Sequence, residues 1–254
     1  MRDDTVRVYL AGRVFVEAGE RLVGESDLPG RQGRLLLAVL AAGHRRAVPR
    51  EELADLLWGE NAPPSWDTAL RALVSKLRTA LRETLGPDAV ESAFGSYQLH
   101  LPDGTWIDLE AAAEGIHLAE TLVRDGRVSE AAWWAIPAGA IAGRPFLYGH
   151  EGAWIEERRE KLRTIHVRAL CCLAEIWTTT GDTTLAVRDA TEAVQLDPFG
   201  ERTHRLLMRA HAAAGDRAAA LKAYERCRRL LADELGADPS AETQALHLDI
   251  LRAG

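Results

Sequence analysis

The chain has 254 residues, 47% hydrophobic and 27% charged, an ordinary composition for a globular protein long enough to build two cores. No stretch approaches 18 uninterrupted apolar residues and the N-terminus has no apolar signal core, so a membrane span and a secretory leader are both excluded and a cytoplasmic location is expected. The formal net charge is −7, but residues 1–101 hold 13 Lys/Arg against 14 Asp/Glu while residues 102–254 hold 18 against 24, which leaves the first part free to present a local basic face.

In chain order, Val6 to Leu10, Arg13 to Val16 and Arg21 to Val23 alternate like short strands of a small antiparallel sheet. From Arg31 the period becomes helical, with Leu35, Leu36, Val39 and Leu40 on one face until Gly43 stops the run. A second helix is predicted from Pro49, a favoured first-turn residue, burying Leu53, Leu56 and Leu57. Asn61-Ala62-Pro63-Pro64-Ser65 breaks the helix, and Ser65 is the expected N-cap of a third one that ends at Gly86-Pro87. Val90 to Leu101 then alternates about Gly95 as a hairpin. Pro102-Asp103-Gly104 marks the expected boundary between domains 1–101 and 102–254, and everything beyond it reads as helical.

The second part repeats. Gly181-Asp182 recurs as Gly215-Asp216 at a period of 34, with Ala186 and Ala220, and Leu173 and Leu207, at matching offsets. That period, with glycine at the turn and alanine where helices cross, is the mark of tetratricopeptide-like helix pairs. Arg124-Asp125-Gly126-Arg127 with Ala131 and Ala135 suggests a divergent earlier unit, set apart by an insertion around Gly143-Arg144-Pro145-Phe146. The fold class is therefore mainly α with a small β part, a winged helix-turn-helix followed by an all-α repeat domain.

The third helix carries the functional signal. Leu70, Leu73, Val74, Leu77 and Leu81 form an apolar stripe, opposite which lie Thr68, Ala72, Ser75, Thr79 and Arg82, flanked by Arg71, Lys76 and Arg78. Small outward residues let a helix approach base edges, and the cations can reach phosphates. Gly95-Ser96-Tyr97-Gln98-Leu99 follows as a wing, where Ser96 and Gln98 are candidate backbone contacts. Arg31 and Arg34, near the start of the first helix, read equally as phosphate contacts or as solvated residues, and His44-Arg45-Arg46 reads as a solvated turn. Four strings, Arg31-Gln32-Gly33-Arg34-Leu35-Leu36-Leu37, Glu52-Leu53-Ala54-Asp55-Leu56-Leu57-Trp58-Gly59, Leu70-Arg71-Ala72-Leu73-Val74-Ser75-Lys76-Leu77-Arg78 and Glu234-Leu235-Gly236-Ala237-Asp238-Pro239-Ser240, stand in the order seen in Streptomyces antibiotic regulatory proteins, which the chain resembles over nearly its whole length.

The resemblance implies an OmpR-like winged helix-turn-helix joined to a bacterial transcriptional activation domain of tetratricopeptide-like helices. It further implies pairs of protomers on direct repeats of double-stranded DNA beside a promoter, a homodimer on DNA, recruitment of RNA polymerase holoenzyme, and activation of secondary-metabolite genes. Two departures bear on DNA contact: Thr68-Ala69 replaces the family's common Asn-Thr, and the wing string replaces a Gly-Gly-Tyr-Arg-Leu type. No Lys or Arg occurs between Arg82 and Arg124, so the wing gives up phosphate attraction.

Other chemistry finds no support in the residues. Cys171, Cys172 and Cys227 lack metal spacing and read as buried helix residues; the scattered histidines form no metal motif; no Walker A string or nucleophile elbow is present. No cofactor and no enzyme activity are expected. Trp133, Trp134 and Trp154 read as core packing of the repeats. The rival to a DNA-binding activator is a protein-binding adaptor acting through its acidic repeat surface, and a small-molecule effector site in the repeats is a third possibility.

Overall fold

A computed structural model describes residues 5–253 and divides the chain into two compact units. The first comprises the described residues to Ala111 with Arg144–Leu162; the second comprises Ala112–Gly143 and Arg163 onward.

In the first unit β1 (Val6–Tyr9), β2 (Phe15–Ala18) and β3 (Arg21–Val23) form an antiparallel sheet in which Val8 faces Val16 across the ladder and both are fully buried. The periodicity of helix α1 (Gly30–Ala42) predicts one buried face, yet every residue from Leu35 to Ala41 is buried. The cause is that α2 (Arg50–Trp58), α3 (Trp66–Leu85) and strand β6 (Ser96–Leu99) all pack on it, and a helix covered on several sides is apolar all round. Pro49 does not open α2 as expected; it ends the two-residue strand β4 (Val48–Pro49) and precedes the helix. Ser65 does occupy the N-cap of α3, but its side chain makes no capping bond and only its carbonyl accepts from Ala69 N at 3.1 Å. On α3, Leu70, Val74, Leu77 and Leu81 are at most 1% exposed, each stabilising the unit by about 1.5–3 kcal/mol. A second sheet, in the order β4-β6-β5 with β5 spanning Val90–Ala93, forms the wing hairpin.

One segment beyond Pro102 is not helical. Trp106–Ile107 forms β7, which pairs in parallel with Arg7–Val8 and adds a fourth strand to the first sheet. The next residue, Asp108, is fully buried and accepts the Leu10 and Ala11 backbone N–H groups at 2.9 Å each. Burial raises its pKa, and the two backbone hydrogen bonds oppose the rise.

The second unit is built from α4 (Asp108–Arg124, from Ala112 onward), α5 (Val128–Ala142), α6 (Ala153–Thr180, from Arg163 onward), α7 (Thr183–Leu196), α8 (Glu201–Ala213), α9 (Arg217–Leu235) and α10 (Ala241–Arg252). The 34-residue repeat is visible in its geometry. Gly181 and Gly215 take positive φ of 90° and 76°, and the aspartates that follow cap α7 and α9 through Leu185 N at 3.2 Å and Ala219 N at 2.9 Å. Ala186, Ala190, Ala193 and Ala220 are fully buried between helices, as are Ala131 and Ala135 of the earlier unit. Cys171, Cys172 and Cys227 are free and buried, and burial pushes their thiols up to about 11, 12 and 11.

The tryptophans of α5 correct the core expectation. Trp133 is 80% exposed and Trp134 is 48% exposed, because the inner side of α5 is reserved for small residues. A Cβ on Gly139 would lie 3.3 Å from Ala169 Cβ, and one on Gly115 would lie 3.3 Å from the Trp134 carbonyl, so the helices approach too closely for indoles to sit between them. Trp154 is half-buried against Phe146 and lies under the Arg158 guanidinium.

Candidate nucleic-acid interface

Helix α3 turns one face fully outward. Thr68, Arg71, Ala72, Ser75, Lys76, Thr79 and Arg82 are all exposed, opposite the buried leucines that fix the helix's rotation. Thr79 bonds back to the Ser75 carbonyl at 3.1 Å. Arg71 meets Asp67 one turn earlier at 2.6 Å, and Arg50 reaches the same carboxylate at 3.5 Å, forming an Arg–Asp–Arg chain at the helix start. Among the described residues Lys76 and Arg82 have no ion pair and present their charges outward.

The remaining site residues have internal partners. Arg78 is half-buried and donates from Nε to the Val90 carbonyl at 2.8 Å and from its terminal nitrogen to the Ser92 hydroxyl, both on β5. Gln98 donates its amide to the His44 carbonyl at 2.9 Å, tying β6 to the turn before α2; this amide, expected to face outward, is turned inward because that carbonyl would otherwise lack a partner there. Ser96 is half-buried in β6, opposite Pro49 on one side and Ala93 on the other. Arg34 pairs with Glu25 at 3.3 Å. Arg31 is exposed, and its carbonyl accepts from His150 Nε2 at 2.9 Å. In the turn before α2, Arg45 pairs with Glu110 at 3.3 Å and Arg46 with Glu52, whose carboxyl is held below its usual range by that contact.

This order of helices and wing, followed by paired helices, is what the comparisons with known proteins match. Residues 107–251 match the bacterial transcriptional activator domain, and residues 27–95 match the domain described as transcriptional regulatory protein, C terminal. The chain belongs to the bacterial transcriptional activator domain family. With both domains in this order it is a Streptomyces antibiotic regulatory protein type of regulator. It is 33% identical to regulatory protein AfsR of Streptomyces coelicolor over 87% of this chain and 22% of AfsR, and 30% identical to transcriptional regulator RedD of the same organism over 86% of this chain and 63% of RedD. The chain thus spans only about a quarter of the AfsR length. The structure of Mycobacterium tuberculosis EmbR in complex with a low affinity phosphopeptide superposes with a TM-score of 0.85 at 25% identity, covering 98% of this chain and 65% of that one.

Two residues of this face escape a reading of the sequence. Arg50 follows a proline at the start of α2, and nothing in its local pattern links it to Asp67, seventeen positions on. Phe94 stands at the tip of the wing, in a two-residue turn with Gly95, and is fully exposed. Both turn residues have positive φ, 50° and 75°, as a type I′ hairpin requires, and for a phenylalanine the left-handed region costs about 1–2 kcal/mol. Asn-Gly or Asp-Gly would announce such a turn; Phe-Gly does not.

Proposed function

We propose that the protein is a sequence-specific DNA-binding transcriptional activator in which α3 enters the major groove and the wing lies along the neighbouring backbone. The observation that carries this reading is the outward face of α3: small polar residues and unpaired cations on a helix whose rotation four buried side chains fix. Thr68, Ala72, Ser75 and Thr79 would meet base edges, while Arg71, Lys76 and Arg82 would meet phosphates. Arg31, at the exposed start of α1, would add a phosphate contact; Arg34, Arg78, Ser96 and Gln98 would act chiefly by holding the frame.

On this reading residues 1–101 carry DNA recognition, two protomers occupy direct repeats beside a promoter, and the helical repeats of 102–254 contact RNA polymerase or the second protomer. Stacked helix pairs present extended surfaces suited to that use. The protein works in the cytoplasm and is not an enzyme, and secondary-metabolite genes are the targets that RedD-like relatives suggest. Among the described residues no helix is long and apolar enough to cross a membrane.

Selection of binding sites from random duplexes with the purified protein tests the proposal. A recovered direct repeat supports it, and Arg71→Ala with Lys76→Ala should then weaken binding by about 1–3 kcal/mol for each side chain truncated, without unfolding the protein. Recovery of no duplex even at low salt favours the adaptor reading, in which the exposed Trp133 and Trp134 would serve a protein partner.

A further inference from the structure

We propose that Phe94 is an apolar wedge that the wing inserts into the minor groove beside the α3 site, unstacking one base step there. This rests on the DNA-binding reading above and adds to it a specific contact and a distortion of the duplex. Three observations converge on it.

First, Phe94 holds an unfavourable state twice over. Its ring is fully exposed, and its backbone sits at φ 50°, a region a bulky side chain avoids. Asparagine, aspartate or glycine would fill this turn position with less strain. Among the described residues no aromatic or cationic side chain packs on the ring, so nothing within the unit offsets either cost. Strain of this kind persists where function uses the residue.

Second, the tip is anchored beside the leading end of α3. The Gly95 carbonyl accepts the Arg50 backbone N–H at 3.0 Å, and the Arg50 guanidinium reaches Asp67, which in turn holds Arg71. Thr68 and Arg71, the first outward residues of α3, therefore lie on the side from which Phe94 projects. Further along, Arg78 fixes β5 against α3, so hairpin and helix would approach a duplex as one body.

Third, the wing has no cation with which to grip phosphates. Around the tip stand Ser92, Ala93, Gly95 and Ser96, small and uncharged, whereas Glu91 lies at the base of the hairpin paired with His100 at 2.6 Å. A small neutral tip bearing one large apolar ring suits the narrow minor groove, where phenylalanine and leucine wedges part base steps and kink the helix. Pyrimidine–purine steps unstack most easily, so one of them is expected under the ring.

The test uses the full chain and a selected duplex carrying 2-aminopurine at successive positions beside the α3 site. The parent protein should brighten the probe at one step, and Phe94→Asn should abolish the brightening and weaken binding about tenfold. The slope of log K against log salt should stay unchanged, because no counterion is released by a ring. Phe94→Leu should keep most of the affinity. Melting measured alongside should place Phe94→Asn no lower than the parent, since asparagine suits the turn. Equal affinity of Phe94→Asn and the parent, or no brightening at any step, overturns the wedge while leaving DNA binding by α3 intact. Failure of the parent to bind any duplex overturns both.

Discussion

Arg78 donates its Nε–H to the carbonyl of Val90 across 2.8 Å, so a single side chain joins the middle of the recognition helix to the first strand of the wing. Its other end reaches Ser92 on the same strand. A cation that the sequence places among DNA contacts is thereby a brace between the two elements that would meet DNA. Arg78→Ala should lower unfolding stability by about 1 kcal/mol and weaken binding to all duplexes alike, since it loosens the frame. Arg78→Lys should rescue neither, because one ammonium cannot reproduce the guanidinium's fork. Thermal melting and a salt titration of Kd check this; an unchanged melting temperature for Arg78→Ala would count against the brace.

Asp108 closes the first sheet from a position seven residues past the end of a 101-residue domain. It accepts from Leu10 and Ala11, while Ile107 beside it is buried in the sheet. A fragment ending at Leu101 loses β7, the carboxylate and that burial together, leaving two backbone N–H groups without partners. Each kcal/mol of destabilisation shifts the melting temperature of a domain this size by about 4–8 °C, so the 1–101 fragment should melt well below one ending at Ala111. Equal melting of the two fragments would show that the fourth strand adds nothing.

The strands, the three helices, the hairpin and the 34-residue repeat are legible in the sequence because each leaves a periodic trace: alternation of two, a stripe of leucines, a Gly-Asp pair recurring at fixed distance. What the sequence hides is tertiary. Nothing local distinguishes an arginine that points at phosphate from one that braces a strand, and Arg34, Arg78 and Gln98 find partners 9, 12 and 54 positions away. The exposed tryptophans of α5 mislead for a related reason. Hydrophobicity says that an indole prefers burial, but whether room exists depends on how closely α4 and α6 approach, which glycine and alanine on the opposite face decide. Trp106–Ile107 is too short for alternation to register at all.

Glu120 and Arg168 form a bidentate pair at 3.0 and 2.6 Å within the helical unit, and the guanidinium holds the Glu120 carboxyl below its usual 4.5. The folded state therefore binds that proton more weakly than the unfolded chain does. The pair's contribution is complete above about pH 4.5 and is lost as pH falls through the lower folded value. Partial exposure screens the pair, so Glu120→Gln should cost only about 1 kcal/mol at pH 7, and the gap between parent and variant should close on acidification. Urea melts at several pH values measure it. A gap that stays constant down to about pH 3 would mean the pair does not titrate with folding.

The cation-poor wing sets the last expectation. With no Lys or Arg between Arg82 and Arg124, a single protomer relies on the few exposed cations of α1 and α3, too few for tight binding at physiological salt. Useful affinity should come from two protomers on adjacent repeats, each presenting α3 to the same face of the duplex. That face recurs about every 10–10.5 bp, so half-sites should prefer this spacing or a multiple of it. Inserting about half a turn between repeats should rotate the second protomer to the far side and sharply weaken the paired complex, while single-site binding stays as weak as before. Gel-shift titrations on a spacing series would decide it, and equal affinity at every spacing would remove cooperation between protomers as the source of binding strength.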